Sequence, residues 1–309
     1  MKLTYFCPAK VNLFLEVTGK RPNGYHELST LFAKINWGDT LYMDVTPAPK
    51  TDISLRITGP RGKYIPTTPN NLVWKATLLF LQHYHLTARV QLTLEKRLPT
   101  GAGLGGGSSD AAGVLILLCK AFGKNPLELI EPAATLGADV PLFLYPDTFL
   151  KGEGIGEKLT PLPAADKLPW IVLIYPNKAV ATKEVFARMH VPEEKEILTN
   201  LSKLGKLTNV VRNGDPLDKW KPLLFNRLEE YVLPFVPAVS DALASLQRIN
   251  NGVCRMSGSG STVFALVGTK NNAQELVAKL QPTKALIYAT AFYGGPADAD
   301  NGDQSSSNP

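Results

Sequence analysis

Three absences narrow this chain before any motif is read. Cysteine is scarce: Cys7, Cys119 and Cys254 are odd in number and lack the spacing of a metal site or a disulfide framework. Reduced thiols in a cytoplasmic protein are therefore expected, with Cys119 in the core because it lies within an apolar helical run. Long hydrophobic runs are missing too, since stretches such as Val114 to Cys119 are far too short to cross a bilayer. No leader pattern precedes the first strand-like segment, so the sequence reads as a soluble protein. Blocks of like charge are the third absence. The formal net charge is +6, but Lys and Arg are scattered among acids, as in Glu95-Lys-Arg97. That excess reads as a solvated surface with mild attraction for anions, not as a nucleic-acid face. A small-molecule partner is expected, without nucleic acid or membrane, in a monomer or homodimer.

What is present is ordinary globular material: 309 residues, 44% hydrophobic and 19% charged, enough for two domains. Val11 to Val17, Leu28 to Ile35, Leu41 to Val45 and Ile53 to Ile57 read as short strands. Asn71 to Leu86 has helical spacing, Arg89 to Glu95 is a strand, and Asp110 to Phe122 and Pro126 to Leu136 are helices. The Pro-rich stretch Thr160 to Pro169 marks a boundary. After it come a strand at Trp170 to Tyr175, several helices, a strand pair around Met256 and Val263 to Val267, one more helix, and a strand at Ala285 to Phe292. This order suits an α+β sandwich. The expected division is 1–160, 161–293 and a polar, Ser- and Asn-rich tail, 294–309, expected to be disordered.

The most informative segment runs from Leu98 to Gly113. Five of the seven residues from Gly101 to Gly107 are Gly, followed by Ser108 and Ser109 at a turn into a helix. Bare backbone can wrap an anion closely, and the helix N-terminus adds unpaired N–H donors and partial positive charge. The segment is suited to a polyphosphate. It is not a Walker loop, because Gly107 stands where Lys is required. Gly101-x-Gly103-x-x-Gly106 meets the dinucleotide fingerprint, yet the second strand and its acidic end are missing, and Asn125-Pro-Leu-Glu begins a helical segment instead.

The loop resembles that of the GHMP kinases, small-molecule kinases whose pattern is Pro-x-x-x-Gly-Leu-Gly-Ser/Gly-Ser-Ser-Ala/Asp. Pro8-Ala-Lys-Val-Asn-Leu-Phe-Leu15 is similar to the N-terminal motif of that family, and Arg255-Met-Ser-Gly-Ser-Gly-Ser-Thr-Val-Phe264 to its C-terminal glycine loop. Lys20-Arg-Pro-Asn-Gly-Tyr-His-Glu-Leu28 and Gly137-Ala-Asp-Val-Pro-Leu-Phe143 resemble the branch that acts on a cytidine-diphosphate-linked polyol. The matching segments span Lys2 to about Val267. The resemblance implies a ribosomal-protein-S5-like first domain and a ferredoxin-like second one. It also implies ATP-dependent phosphorylation of the 2-hydroxyl of 4-diphosphocytidyl-2-C-methyl-D-erythritol, in the non-mevalonate isoprenoid precursor pathway.

By the same resemblance Asp139 is the general base and Lys10 its partner, the lysine keeping the carboxylate ionised. Taken without it, Asp139 reads equally as the cap of a Pro-containing helix start. Pro99, Thr100, Gly101, Ala102, Gly103, Leu104, Gly105, Gly106, Gly107, Ser108 and Ser109 would take the ATP phosphates, with Lys96 and Asn71 near the adenine and ribose. Asn12, two residues from Lys10 on the same strand face, would bind a polyol hydroxyl. Tyr25 and Phe186 would sandwich the cytosine ring, His26 would bond its edge, and Phe32 and Thr182 would line that pocket. Phe186 reads equally as a core residue of a helix. Gly258 and Gly260 would shape the rear of the site. Phe225-Asn-Arg-Leu-Glu229 departs from the family, with Arg227 where an acid is usual. Mg2+ is implied by ATP chemistry, and no carboxylate cluster identifies its ligands.

Overall fold

The computed structural model describes residues 1–250, 253–281 and 283–295, so the expected tail lies, from residue 296 on, outside the described residues. Two long strands, β1 (Lys2–Lys20) and β2 (His26–Pro47), pair antiparallel and form the spine of the molecule. The two strands expected within residues 28–45 are thus one. The intervening Asn36 to Asp39 breaks the apolar alternation, and the ladder absorbs it as a register shift, Pro8 pairing Gly38 while Ala9 pairs Ile35. β3 (Asp52–Thr58) follows, then α1 (Leu72–His83), β4 (Ala88–Glu95) and α2 (Gly106–Phe122). A 3-10 turn, Pro126–Leu129, and a short α3 (Ile130–Ala134) replace the single helix expected from Pro126 to Leu136. Pro132 has no N–H for the Glu128 carbonyl and its ring crowds that turn, so the run breaks before it, between Leu129 and Ile130.

β5 (Phe149–Gly154) and β6 (Lys158–Leu162), unforeseen in the sequence, extend the same sheet, β5 pairing the first half of β2 while β4 pairs the second half. β7 (Trp170–Tyr175) opens a second sheet. Then come α4 (Thr182–Ala187), α5 (Glu194–Asn213) and α6 (Leu217–Trp220). The two-residue β8 (Phe225–Asn226) returns to pair parallel with β1, completing a seven-stranded sheet with the path β3-β4-β2-β1-β8. α7 (Glu229–Val232), α8 (Pro237–Asn250), β9 (Cys254–Met256), β10 (Val263–Val267), α9 (Lys270–Leu280) and β11 (Leu286–Thr290) follow. The second sheet has the order β11-β7-β10-β9.

Residues 7–17 of β1 are buried without a break because this central strand is covered on both faces. One core lies between the long sheet and α1 and α2, and holds Cys7 and Cys119. A second joins Ala9, Val11 and Leu13 to Ile171 and Leu173 of the other sheet and to α5. A third covers the second sheet with α8 and α9. Among the described residues no helix is long and apolar enough to cross a membrane.

Candidate active site

The glycine loop leaves β4 and enters α2 through three left-handed residues, Gly101, Gly103 and Gly105, with φ of 64°, 76° and 69°. Gly105 is the N-cap of α2 and offers no side-chain cap, so the first N–H groups of the helix stay available to an anion. Hydrogen bonds from β1 and from the second glycine loop hold the first. Lys10 N donates to the Leu104 carbonyl (2.9 Å), Thr262 N to Ala102 (3.1 Å), and Ser257 Oγ to Gly103 (3.1 Å). The two glycine loops therefore pack backbone to backbone, and a Cβ on Gly103 would lie 2.4 Å from the Ser257 oxygen.

β1 aims Lys10 and Asn12 onto one face. Lys10 Nζ, almost fully buried, donates to Asn12 Oδ1 at 2.9 Å and lies 3.4 Å from Asp139 Oδ2. Asn12 Nδ2 donates to Thr30 Oγ1 (2.9 Å), which donates in turn to the Phe14 carbonyl. The Phe32 ring packs below the ammonium, 5.3 Å from it. Asn12 thus spends its carbonyl fixing the lysine. Asp139 caps no helix: the following 3-10 turn, Pro141–Leu144, begins at Val140 with no side-chain cap, which leaves the half-buried carboxylate to Lys10 and the cavity.

One cavity of about 1170 Å3 runs from the glycine loop past this pair to the turn before β2. The residues expected at the site line it except Ser109, fully buried one step further along α2, and Gly260, which lies behind Gly258 and Ser259. Four lysines (Lys10, Lys20, Lys96 and Lys183) and two aspartates (Asp110 and Asp139) line it, a balance that suits polyphosphates. At the far end His26 is buried and stacks on Phe186, ring centroids 5.3 Å apart. Burial, with Lys20 nearby, holds its pKa below the ordinary histidine value, and its Nε2 has no hydrogen-bond partner among the described residues. Tyr25 stands 59% exposed at the mouth, and Thr182 Oγ1 meets Ser259 Oγ at 2.7 Å.

Two expected nucleotide contacts are already committed. Lys96 Nζ is buried between Asp39 and Asp110, and Asp39 also accepts from Arg97 N and Leu98 N, so the charge cluster fastens the loop to the end of β4. Burial lowers the lysine's pKa, but the two carboxylates outweigh it and the net shift is upward. For Asp110, burial drives the pKa up despite Lys96. Asn71 caps α1 through Val73 N (2.8 Å) and donates to the Pro66 carbonyl. Sequence reading missed Thr30, Asp39, Asp110 and Asn226. The last donates to the Met256 and Gly258 carbonyls at 2.7 and 2.8 Å and so clamps the second glycine loop. Asn226 precedes Arg227 in the segment read above as a departure from the family, and that proximity was its only signal.

Two family models match the chain, GHMP kinases N terminal domain over residues 71–147 and GHMP kinases C terminal over residues 212–284. A Geobacter protein named 4-diphosphocytidyl-2-C-methyl-D-erythritol kinase is 35% identical over 93% of this chain and 98% of its own length. A Bacteroides thetaiotaomicron protein of the same name is 38% identical over 84% and 90%. Among solved structures, a 4-(cytidine 5'-diphospho)-2C-methyl-D-erythritol kinase superposes with a TM-score of 0.75 at 32% identity, covering 95% of this chain and all of that one. A homoserine kinase from Cytophaga hutchinsonii reaches the same TM-score at 17% identity, over 94% of this chain and 95% of its own, a likeness of fold alone.

Proposed function

The chain belongs to the GHMP kinases, and within them to the 4-diphosphocytidyl-2-C-methyl-D-erythritol kinases, and we propose a division of labour within its cavity for that reaction. It is a small-molecule kinase of isoprenoid biosynthesis with a two-domain α+β fold, and ATP fits it as phosphate donor. The two domains divide near residue 160 in this reading. The glycine loop and the open end of α2 hold the triphosphate through backbone N–H groups. Tyr25 and Phe186 hold the cytosine ring by stacking, and His26, packed on Phe186, bonds its edge through Nε2.

The observation that carries this reading is the Lys10–Asp139 pair, which lies in the cavity between the phosphate loop and the stacked rings. Asp139 accepts the proton of the acceptor's 2-hydroxyl, whose oxygen bonds to the γ-phosphorus as the bridge oxygen leaves with ADP. Lys10, held by Asn12, pairs with the carboxylate and offsets charge gathering on the transferred group. Among the described residues no group of three or more His, Cys, Asp and Glu side chains could hold a metal ion. The described residues thus offer no dedicated Mg2+ cage. Asp139→Asn tests the assignment: both ligands should still bind while kcat falls by roughly 100- to 10,000-fold. Turnover close to wild type would remove Asp139 as the base.

A further inference from the structure

Arg227, a cation in the sequence segment Phe225 to Glu229, is 3% exposed. Its guanidinium grips the fully buried Glu16 of β1 with two bonds, Nε to Oε1 at 2.8 Å and Nη2 to Oε2 at 2.9 Å. Glu16 also accepts from Val17 N and from Asn200 Nδ2 of α5, so both of its oxygens are fully used. The remaining guanidinium donors reach Glu196 in the first turn of α5 and Glu230 of α7, each at 2.6 Å. Arg227 N donates to the Leu15 carbonyl at 2.8 Å. One buried cation therefore fastens β1, α5 and α7 together.

What lies next to this knot is the wall of the cytidyl end. Leu15 and Leu228, the neighbours of Glu16 and Arg227, both line the cavity. They share a core with Val185 and Met189, which flank Phe186. The link from α4 to α5 is gripped twice more from the same side: Tyr231 Oη meets His190 N at 3.4 Å, and Arg188 lies 4.8 Å over the Phe235 ring. His26 begins β2, whose ladder partner is β1, whereas Phe186 rides on α4. Those two rings stack on each other, so the room left for a third ring beside Phe186 depends on where α4 sits relative to β1. Arg227 is a charged tie from β1 to α5 and α7, which adjoin α4 in the chain and in the shared core.

We propose that Arg227, through Glu16, Glu196 and Glu230, is a positioning residue that holds the α4 wall at the spacing a cytosine ring requires. This rests on the cytidyl reading above. Arg227 touches no reacting atom, so its loss should act on one substrate only. In Arg227→Gln the Michaelis constant for 4-diphosphocytidyl-2-C-methyl-D-erythritol should rise about tenfold, with kcat and the constant for ATP within about twofold of wild type. Arg227→Lys, which keeps the charge but not the fork, should recover part of the loss. Equal rises in both constants, or none, would overturn the proposal.

Should Arg227→Gln fail to fold, Glu196→Gln with Glu230→Gln cuts the two outer ties, at half-exposed side chains, and leaves the buried pair whole. The same selective rise, about threefold, is expected there, and an unchanged constant would contradict the idea. Amide hydrogen exchange separates this proposal from the assignment of the substrate. The variants should exchange faster in α4 and the first turn of α5, with α2 unchanged, whichever alcohol the enzyme accepts. Wild-type exchange in α4 would sink the positioning role alone, while a wild-type enzyme idle on the cytidyl alcohol would sink the substrate reading alone.

Discussion

The two ends of the cavity are built from different materials. At the phosphate end the contacts are backbone: three left-handed glycines, an uncapped helix, and carbonyls taken up by Lys10 N, Thr262 N and Ser257 Oγ. At the cytidyl end they are side chains, two stacked rings and an exposed tyrosine, carried by a turn and a six-residue helix. Backbone donors recognise any triphosphate and must be preorganised to stabilise charge. Flat rings choose one ligand over another and tolerate some freedom. The Lys10–Asp139 pair stands between the two and has to serve both.

Damage to the first end should therefore be severe and damage to the second selective. Gly103→Ala is the strongest test, because its Cβ would lie 2.4 Å from one carbonyl oxygen and 2.8 Å from another at φ 76°. A loss of about 3 kcal/mol in unfolding free energy is expected by chemical denaturation, with ATP affinity falling too. A variant of unchanged stability would show that the two glycine loops are not interlocked. Tyr25→Ala comes next: stacking at about 1–3 kcal/mol per ring predicts a roughly tenfold higher Michaelis constant for the cytidyl alcohol. The constant for ATP should stay put, and a matching change in it would erase the contrast between the ends.

A third effect concerns neither end but the spine between them. Lys34 pairs across the ladder with Lys10 and donates to the Tyr145 carbonyl, just beyond the Asp139 segment. Burial pulls its pKa down to about 7, with Asp147 opposing. The unfolded chain therefore binds the extra proton between about pH 7 and the ordinary lysine value, and native stability rises with pH through that window. Lys34→Met removes this term. Its stability relative to wild type should fall by on the order of 2 kcal/mol between about pH 6 and pH 9. A constant difference would mean that the lysine keeps its proton throughout.

The same contrast explains what could be read from the sequence. The glycine loop was legible because its chemistry is local, adjacent glycines before a helix. Lys10 and Asn12 were read on one strand face, but Asn12 as a polyol ligand, not as the acceptor that fixes the lysine. Asp139 needed the family, since a lone Asp before Val-Pro reads equally as a cap until Lys10 is seen 3.4 Å away. Thr30, Asp39 and Asn226 gave no signal, because each acts on a segment brought close only by the fold, as Asn226 does on Gly258. Lys96 was legible as a residue near the nucleotide but not as the centre of a buried ion cluster. The long β2 was read as two strands because a register shift looks like a turn when its partner is unseen.

The most direct test of this account is ADP release by the wild-type enzyme from ATP with Mg2+, offered two alcohols in parallel. One is 4-diphosphocytidyl-2-C-methyl-D-erythritol; the other is 2-C-methyl-D-erythritol 4-phosphate, which has the reacting hydroxyl but no cytidyl group. Release with the first and almost none with the second is the predicted result. Equal release with both would mean that the stacked rings do not select the substrate.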